Sequence, residues 1–234
     1  MATKGRMAKK VVPPDVAAIR KEIRRVLDTK DAFGESVGNA KYGVYAFYDY
    51  DAEPIYVGQT KERLRSRIGR HLTNQRTDAV AMNVLDPFEV AEIELWPILE
   101  DNLSETDLQH LLNAVEYAVF QKVLKQSKLG AVLNEKDVPK APRVKLPKSY
   151  RGRIIPDDLY EIRKHPDTRI ARRASTIASL ARVIGERDVS KGLRRTLLTQ
   201  AKRLERLANE RFHEIAGRIP VEGKTEETGE NVAE

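Results

Sequence analysis

Residues 41–72, KYGVYAFYDYDAEPIYVGQTKERLRSRIGRHL, are the stretch around which the rest of the chain is organised. Residues 43–48 alternate aromatic with small or apolar side chains, as a half-buried strand does, and residues 55–58 do so more briefly. The segment 49–54 between them is rich in turn-forming residues. These patterns predict a β-hairpin.

A helix is predicted directly after the hairpin, from a cap at Thr60 to about residue 72. Leu64, Ile68 and Leu72 recur every four residues and form its buried row. Arg67 and His71 share the neighbouring row and face the tyrosines of the hairpin. Two donors held side by side on a rigid helix suit an oxyanion such as phosphate, so the stretch predicts an active site.

These residues resemble the GIY-YIG endonuclease family. Residues 43–45, GVY, match its first triplet and residues 56–58, YVG, match the second, with valine in place of isoleucine in both. Arg67 and His71 follow at the usual spacing, and the glutamate and asparagine that the family places downstream correspond to Glu116 and Asn134. The resemblance covers about residues 41–138.

The resemblance implies a DNA endonuclease with one Mg²⁺ ion, for which Mn²⁺ can substitute. Glu116 is the implied metal ligand, and Arg67 is the implied contact to the scissile phosphate. The tyrosine of the first triplet is the usual candidate for the general base. The implied catalytic set is Tyr45, Tyr56, Arg67, His71, Glu116 and Asn134. Taken without the resemblance, the tyrosines would be ordinary core residues and the asparagine ordinary turn chemistry.

A long helix over residues 105–126 is predicted to carry the carboxylate. Ser104 followed by Asp107 is similar to a capping box, with aspartate in place of the usual glutamate. Glu116 interrupts an otherwise apolar row spaced every four residues. A buried carboxylate is costly unless a cation or hydrogen-bond donors meet it, so Glu116 is either a functional ligand or a glutamate at the edge of the apolar stripe.

Composition narrows the class of protein. The chain of 234 residues contains no cysteine, which excludes disulfides and thiolate zinc sites. Its 4 histidines lie singly and offer no zinc-ligand spacing. There is no apolar run of membrane-spanning length and no signal-peptide pattern. We therefore expect a soluble, cytoplasmic protein with no membrane partner.

The net charge of +7 is unevenly distributed. Residues 141–219 hold 20 Lys or Arg against 9 Asp or Glu, so this segment is strongly basic and the remainder is slightly acidic. Such a segment suits binding to a polyanion such as DNA, because neutralised phosphates release counterions. A solvated helical face explains the charge equally well.

The chain after residue 138 changes in composition, from a proline-rich segment to segments with helical spacing of apolar residues. Four prolines among basic residues predict an extended linker over residues 139–156. Helices are predicted over residues 157–164, 168–184 and 190–217, with narrow apolar stripes that an antiparallel pair would bury and with arginines on the outer faces. This extension is either a DNA-gripping module or a dimerising hairpin. A palindromic target would favour a homodimer.

The predicted fold class is α+β, a small antiparallel three-stranded sheet flanked by helices and followed by a basic helical extension. Its third strand, residues 88–98, is predicted to have one solvent-facing side and to end at a sheet edge at Pro97. The predicted divisions are a leader and packing helix (1–40), the nuclease domain (41–138), the linker (139–156), the helical extension (157–219) and an acidic disordered tail (220–234).

Substrate contacts are expected from glycine and basic residues around this framework: Gly58, Lys61, Arg76, Lys145, Lys148 and Arg151. Among nucleases, a restriction or defence enzyme competes with a repair or mobile-element enzyme. The alternative from another class is a catalytically silent nucleic-acid-binding protein on the same fold.

Overall fold

A computed structural model describes residues 12–73, 84–100, 102–134 and 136–217. Its helices are α1 (Pro14–Leu27), α2 (Leu64–Thr73), α3 (Glu105–Gln126), α4 (Asp157–Lys164), α5 (Pro166–Glu186) and α6 (Lys191–Ala216). Its strands are β1 (Tyr42–Tyr48), β2 (Pro54–Thr60), β3 (Glu92–Ile98) and β4 (Tyr150–Arg153). The predicted leader and acidic tail lie largely outside the described residues.

The four strands form one antiparallel sheet in the order β2-β1-β3-β4. The predicted hairpin is present, but the sheet has four strands instead of the three expected. The fourth strand comes from residues 150–153, inside the segment that was predicted to be a linker. Its brief alternation among prolines and basic residues gave no strand signal, and pairing with β3 at residues 92–95 is what orders it.

Both faces of the sheet are buried, because alternate side chains along each strand enter different apolar clusters. Tyr45, Phe47, Ile93 and Leu95 face α1, α2, α5 and α6. Val44, Ala46, Val57 and Trp96 face α3. The sheet is therefore the middle layer between two helical layers.

The face of β3 that was predicted to be wet lies under α3. Its Glu94 is buried, but its carboxylate accepts hydrogen bonds from the Tyr48 hydroxyl (2.6 Å) and the Lys122 ammonium (3.1 Å). Alternation with charged residues is typical of an exposed face, and these two partners make burial tolerable. β3 is also an interior strand, although Pro97 lies beyond the residues that pair with β4.

Helix α3 has the predicted bounds. The Ser104 hydroxyl accepts a hydrogen bond from the Asp107 amide (3.1 Å) and donates one to the Asp107 carboxylate (2.6 Å), which confirms the capping interaction. Thr60, in contrast, is the last residue of β2 and does not cap α2. Its hydroxyl bonds to the backbone of Glu62 in the turn between strand and helix.

The C-terminal helices are held against the sheet by buried charges. Asp49, at the end of β1, accepts hydrogen bonds from Arg169 (3.2 Å), Arg173 (2.9 Å) and Arg203 (2.6 Å), and all four side chains are buried. Glu89 pairs with Arg173 as well, at 3.0 Å. The expectation that arginines of the extension occupy its outer faces is therefore wrong for these three, since they face the sheet.

Candidate active site

The hydroxyl of Tyr45 is the centre of a buried polar cluster beneath β1 and β2. It lies 2.9 Å from Nε2 of His71 and accepts a hydrogen bond from Nε of Arg67 at 3.1 Å. The Tyr56 ring stacks beside Tyr45, with ring centroids 6.3 Å apart, and its centroid lies 5.7 Å from that of His71. Four of the residues predicted from the sequence are therefore brought together.

Local structure explains why these side chains meet. Tyr45 and Tyr56 point to the same sheet face, and Tyr45 is the register partner of Gly58 across the hairpin. Leu64 and Ile68 bury the inner row of α2, so Arg67 and His71 follow on the adjoining row one turn apart. The amphipathic spacing of α2 is thus what aims both donors at the phenol.

Gly58 is required by the position of the Tyr45 ring. A Cβ atom added at Gly58 would lie 2.5 Å from the Tyr45 hydroxyl oxygen and 2.6 Å from the carbon that carries it. Such contacts are shorter than any normal van der Waals approach, so a side chain here would displace the phenol. Packing against Tyr45 therefore explains why glycine occupies position 58, and the predicted contact of Gly58 with substrate stays a prediction.

Burial sets the protonation states in this cluster. Burial raises the pKa of Tyr45 well above its ordinary range. The neighbouring Tyr56 raises that pKa further, and Arg67 offsets only part of the rise. Burial, with the charges of Arg67 and Arg70, lowers the pKa of His71 to about 3. At neutral pH Tyr45 therefore keeps its proton and His71 is neutral.

The Tyr45 hydroxyl and Nε2 of His71 share one hydrogen bond, and the His71 tautomer decides which of the two groups donates. The phenolic oxygen has two lone pairs, so it can accept from Arg67 whichever tautomer is present. The Nδ1 of His71 is buried and has no hydrogen-bond partner in the part of the chain that the structure describes.

Glu116 lies on α3, which packs along β2. Burial raises the pKa of its carboxyl from 4.5 to about 7, and no lysine or arginine of the described residues lowers it. Its charge also contributes to the raised pKa of Tyr45, so the carboxylate is electrostatically coupled to the phenol. A carboxylate with this environment has capacity for a cation.

An amide chain missed in the sequence links β2 to α3 next to this carboxylate. Oδ1 of Asn113 accepts hydrogen bonds from the side-chain amides of Gln59 (3.1 Å) and Gln109 (2.7 Å). Gln109, Asn113 and Glu116 recur at positions i, i+4 and i+7 of the helix. These three polar positions on one side of α3 were the signal available in the sequence. The Asn113–Gln59 bond joins this side of the helix to the end of β2.

Asn134 binds backbone of the hairpin. Its side chain accepts a hydrogen bond from the Val57 amide (3.1 Å) and donates one to the Val57 carbonyl (2.7 Å). The preceding Leu133 amide donates to the Ile55 carbonyl at 2.7 Å. These bonds cover the free edge of β2 on both sides of Tyr56. Asn134 therefore positions the second triplet, and its predicted catalytic role stays a prediction.

The remaining basic residues are dispersed. An open depression of about 340 Å³ beside the cluster is lined by Gln59, Thr60, Lys61, Glu62 and Arg67. Arg151, on β4, lies at the opposite sheet edge from β2, pairs with Glu92 at 2.6 Å and covers the Tyr48 ring. Lys145 and Lys148 are exposed in the chain leading to β4, and Arg76 lies outside the described residues.

The fold is an α+β domain in which Tyr45, Tyr56, Arg67 and His71 meet on one face of the sheet. Residues 41–118 match the family model of the GIY-YIG catalytic domain. The chain therefore carries a GIY-YIG catalytic domain, which confirms the resemblance and points to a nuclease, a phosphodiester hydrolase. No curated protein and no solved structure matches the chain.

Two features are absent from the described ranges. These ranges contain no group of three or more histidine, aspartate or glutamate side chains arranged to hold a metal ion. They also contain no helix whose length and apolar character would let it span a bilayer.

Proposed function

We propose that the protein is a divalent-metal-dependent endonuclease that hydrolyses phosphodiester bonds of DNA. The observation that supports this most is the hydrogen-bonded cluster of Tyr45, Arg67 and His71 inside a segment that matches the GIY-YIG catalytic domain and also contains the buried Glu116 carboxyl. A carboxylate without a cation and a protonated phenol bound by Arg67 and His71 occur together within one GIY-YIG domain. Binding to nucleic acid alone gives no reason to bury a carboxylate in this domain.

Glu116 is the proposed ligand for one Mg²⁺ ion, with Mn²⁺ as a substitute. The donor is a hard carboxylate oxygen, and Mg²⁺ is commonly held by one or two carboxylates with waters in the other positions, so a site without a larger acidic cluster fits it. When bound, the ion would stabilise negative charge that develops on the phosphate and leaving oxygens.

The protein groups have separate proposed roles. Arg67, at the open depression, contacts the scissile phosphate as a guanidinium donor. Tyr45 orients the attacking water through its hydroxyl, and it can take the base role only when added positive charge lowers its pKa. His71 is hydrogen-bonded to the Tyr45 hydroxyl and thereby fixes the orientation of Tyr45.

Lys61 is the proposed DNA contact best placed beside the site, since it lines the same depression as Arg67. A contribution of Lys145, Lys148 and Arg151 requires DNA to extend across the α3 side of the sheet. The biological setting that we propose is restriction or defence against foreign DNA.

The test is incubation of purified protein with plasmid DNA in Mg²⁺, in Mn²⁺ and in EDTA. We expect metal-dependent nicking or linearisation that Glu116→Gln abolishes while DNA binding is retained. Loss of one charge that acts on the transition state is expected to lower the rate roughly 100-fold or more. Glu105→Gln, at an exposed position in the first turn of the same helix, is the matched control.

The outcomes separate the alternatives. Normal cleavage by Glu116→Gln would contradict the metal assignment. DNA binding by the wild-type protein without cleavage in either metal would instead indicate the silent nucleic-acid-binding alternative.

A further inference from the structure

A second pocket lies beside His71. It has a volume of about 620 Å³ and is lined by residues of α1, the end of α2, residues 85–88 and α5. Pockets that enclose small organic ligands commonly have volumes of about 300 to 1,000 Å³. The pocket is therefore large enough for a nucleotide.

One wall of this pocket is cationic. Arg20 lines it with a buried Nε that has no hydrogen-bond partner in the described structure, while one of its terminal nitrogens reaches the Thr73 carbonyl at 3.4 Å. Arg163 also lines it and forms no ion pair with a carboxylate within the described ranges. Arg172, in contrast, is paired with Glu89 at 2.8 Å. Two guanidinium groups are thus available for an anion.

Hydroxyl groups extend the polar wall along α5. Ser175, Thr176 and Ser179 line the pocket within little more than one helical turn. The acidic residue of the lining is Asp86, whose carboxylate accepts a hydrogen bond from the Phe88 amide at 2.9 Å; burial raises the pKa of this carboxyl, and the charges of Arg172 and Arg163 partly offset that rise. Hydroxyls beside guanidinium groups are donors suited to phosphate oxygens.

The rest of the lining is largely apolar and contains an aromatic ring. Ile19, Leu72 and Leu85 line it together with Phe88, which remains 47% exposed. The Arg163 guanidinium carbon lies 5.0 Å from the centroid of the Phe88 ring. An exposed ring beside an arginine is a surface on which a planar base can stack.

We propose that this pocket binds a nucleotide, with its phosphate on Arg20, Arg163 and the α5 hydroxyls and its base against Phe88. Neither an inorganic anion nor an apolar ligand would use both the cationic and the apolar residues of the lining. The nucleotide is either free in solution or part of a DNA strand whose backbone passes this face.

The bound nucleotide would lie against the residue that holds Tyr45. His71 lines the pocket while its Nε2 lies 2.9 Å from the Tyr45 hydroxyl. Its Nδ1 is buried and has no hydrogen-bond partner among the described residues. Occupancy of the pocket is therefore expected to affect the orientation of His71. This coupling to Tyr45 rests on the proposed nuclease function, whereas nucleotide binding itself does not.

The experiment is calorimetric titration of the full chain in EDTA with a deoxynucleoside 5′-monophosphate, its nucleoside, inorganic phosphate and a short single-stranded oligonucleotide. The monophosphate is expected to bind at least about tenfold more tightly than either the nucleoside or phosphate alone. Arg163→Gln should weaken that binding about 10-fold to 100-fold, because it removes a charge-assisted contact. Arg182→Gln, an exposed change on α5, is the matched control.

The results distinguish the two sources of nucleotide. Saturation by the monophosphate with no competition from the oligonucleotide assigns the pocket to a free nucleotide. If the oligonucleotide competes with the monophosphate, and Arg163→Gln weakens that competition, the pocket binds a nucleotide of a DNA strand. Absence of binding, or binding that is unchanged in both Arg163→Gln and Arg20→Gln, would overturn the proposal. Because EDTA prevents metal-dependent cleavage, failure here leaves the plasmid assay unaffected.

Discussion

Replacing Glu116 with glutamine is expected to stabilise the folded protein at alkaline pH. Burial raises the pKa of this carboxyl from 4.5 to about 7, which corresponds to about 3 kcal/mol against the ionised form in the folded state. Glutamine has nearly the same shape and no charge to desolvate. Since the side chain is only partly buried, we expect a gain of about 1 to 3 kcal/mol in the free energy of unfolding.

The gain should depend on pH in a defined direction. Because the pKa is higher in the folded state, the folded protein binds more protons than the unfolded chain between pH 4.5 and about 7. Wild-type stability from this group is therefore lost as pH rises through that window. Glutamine does not titrate, so the advantage of the variant grows from near zero at about pH 4 to its full value at about pH 8.

Urea denaturation at about pH 4, 6 and 8 measures this difference. Glu105→Gln should show no comparable gain, because Glu105 is exposed. Adding Mg²⁺ at about pH 8 should stabilise the wild type and not the Glu116 variant, since the ion binds the folded carboxylate. Equal stability of variant and wild type at about pH 8, or a gain in stability that does not change with pH, would refute the conclusion that folding desolvates the Glu116 carboxylate.

Two further changes test the packing of the site. Gly58→Ala should lower the free energy of unfolding by about 1 to 3 kcal/mol, because its Cβ would lie 2.5 Å from the Tyr45 hydroxyl oxygen. The control Gly69→Ala, on α2, has open space around the new Cβ and should be neutral or stabilising. Equal urea midpoints for the two variants would contradict this prediction. Asp49→Asn should cost about 3 to 5 kcal/mol because it leaves buried arginines without their shared carboxylate, whereas Asp137→Asn breaks a surface pair and should cost less than about 1 kcal/mol in the same assay.

The buried arginines also change how the basic C-terminal segment must be tested. Removing residues 138–234 would take away β4, together with Ile154, Leu180 and Leu193 of the core that contains Tyr45. Loss of DNA binding in such a truncation would report unfolding as readily as loss of contacts. Substitution of exposed lysines such as Lys145 and Lys148 avoids this ambiguity.

Local patterns in the sequence were sufficient to predict most of the individual helices and strands. The hairpin follows from strict alternation and a turn segment, and α3 follows from its Ser104 cap and apolar spacing. The two triplets and Arg67 lie close together in the chain, and their types and spacing are themselves the pattern, whereas Glu116 was assigned through the family resemblance and its role stays a prediction. These features depend on residues that are near one another in the chain, where backbone geometry alone fixes which side chains share a face.

Contacts between distant segments were decided only by the tertiary structure. Residues 150–153 become a strand because β3 offers an unpaired edge, and Asn134 acts on Val57 across 77 positions of sequence. Arg169, Arg173 and Arg203 were expected at the surface because charge favours water. They are buried because one aspartate brings three guanidinium groups together, and composition does not record which charges will meet.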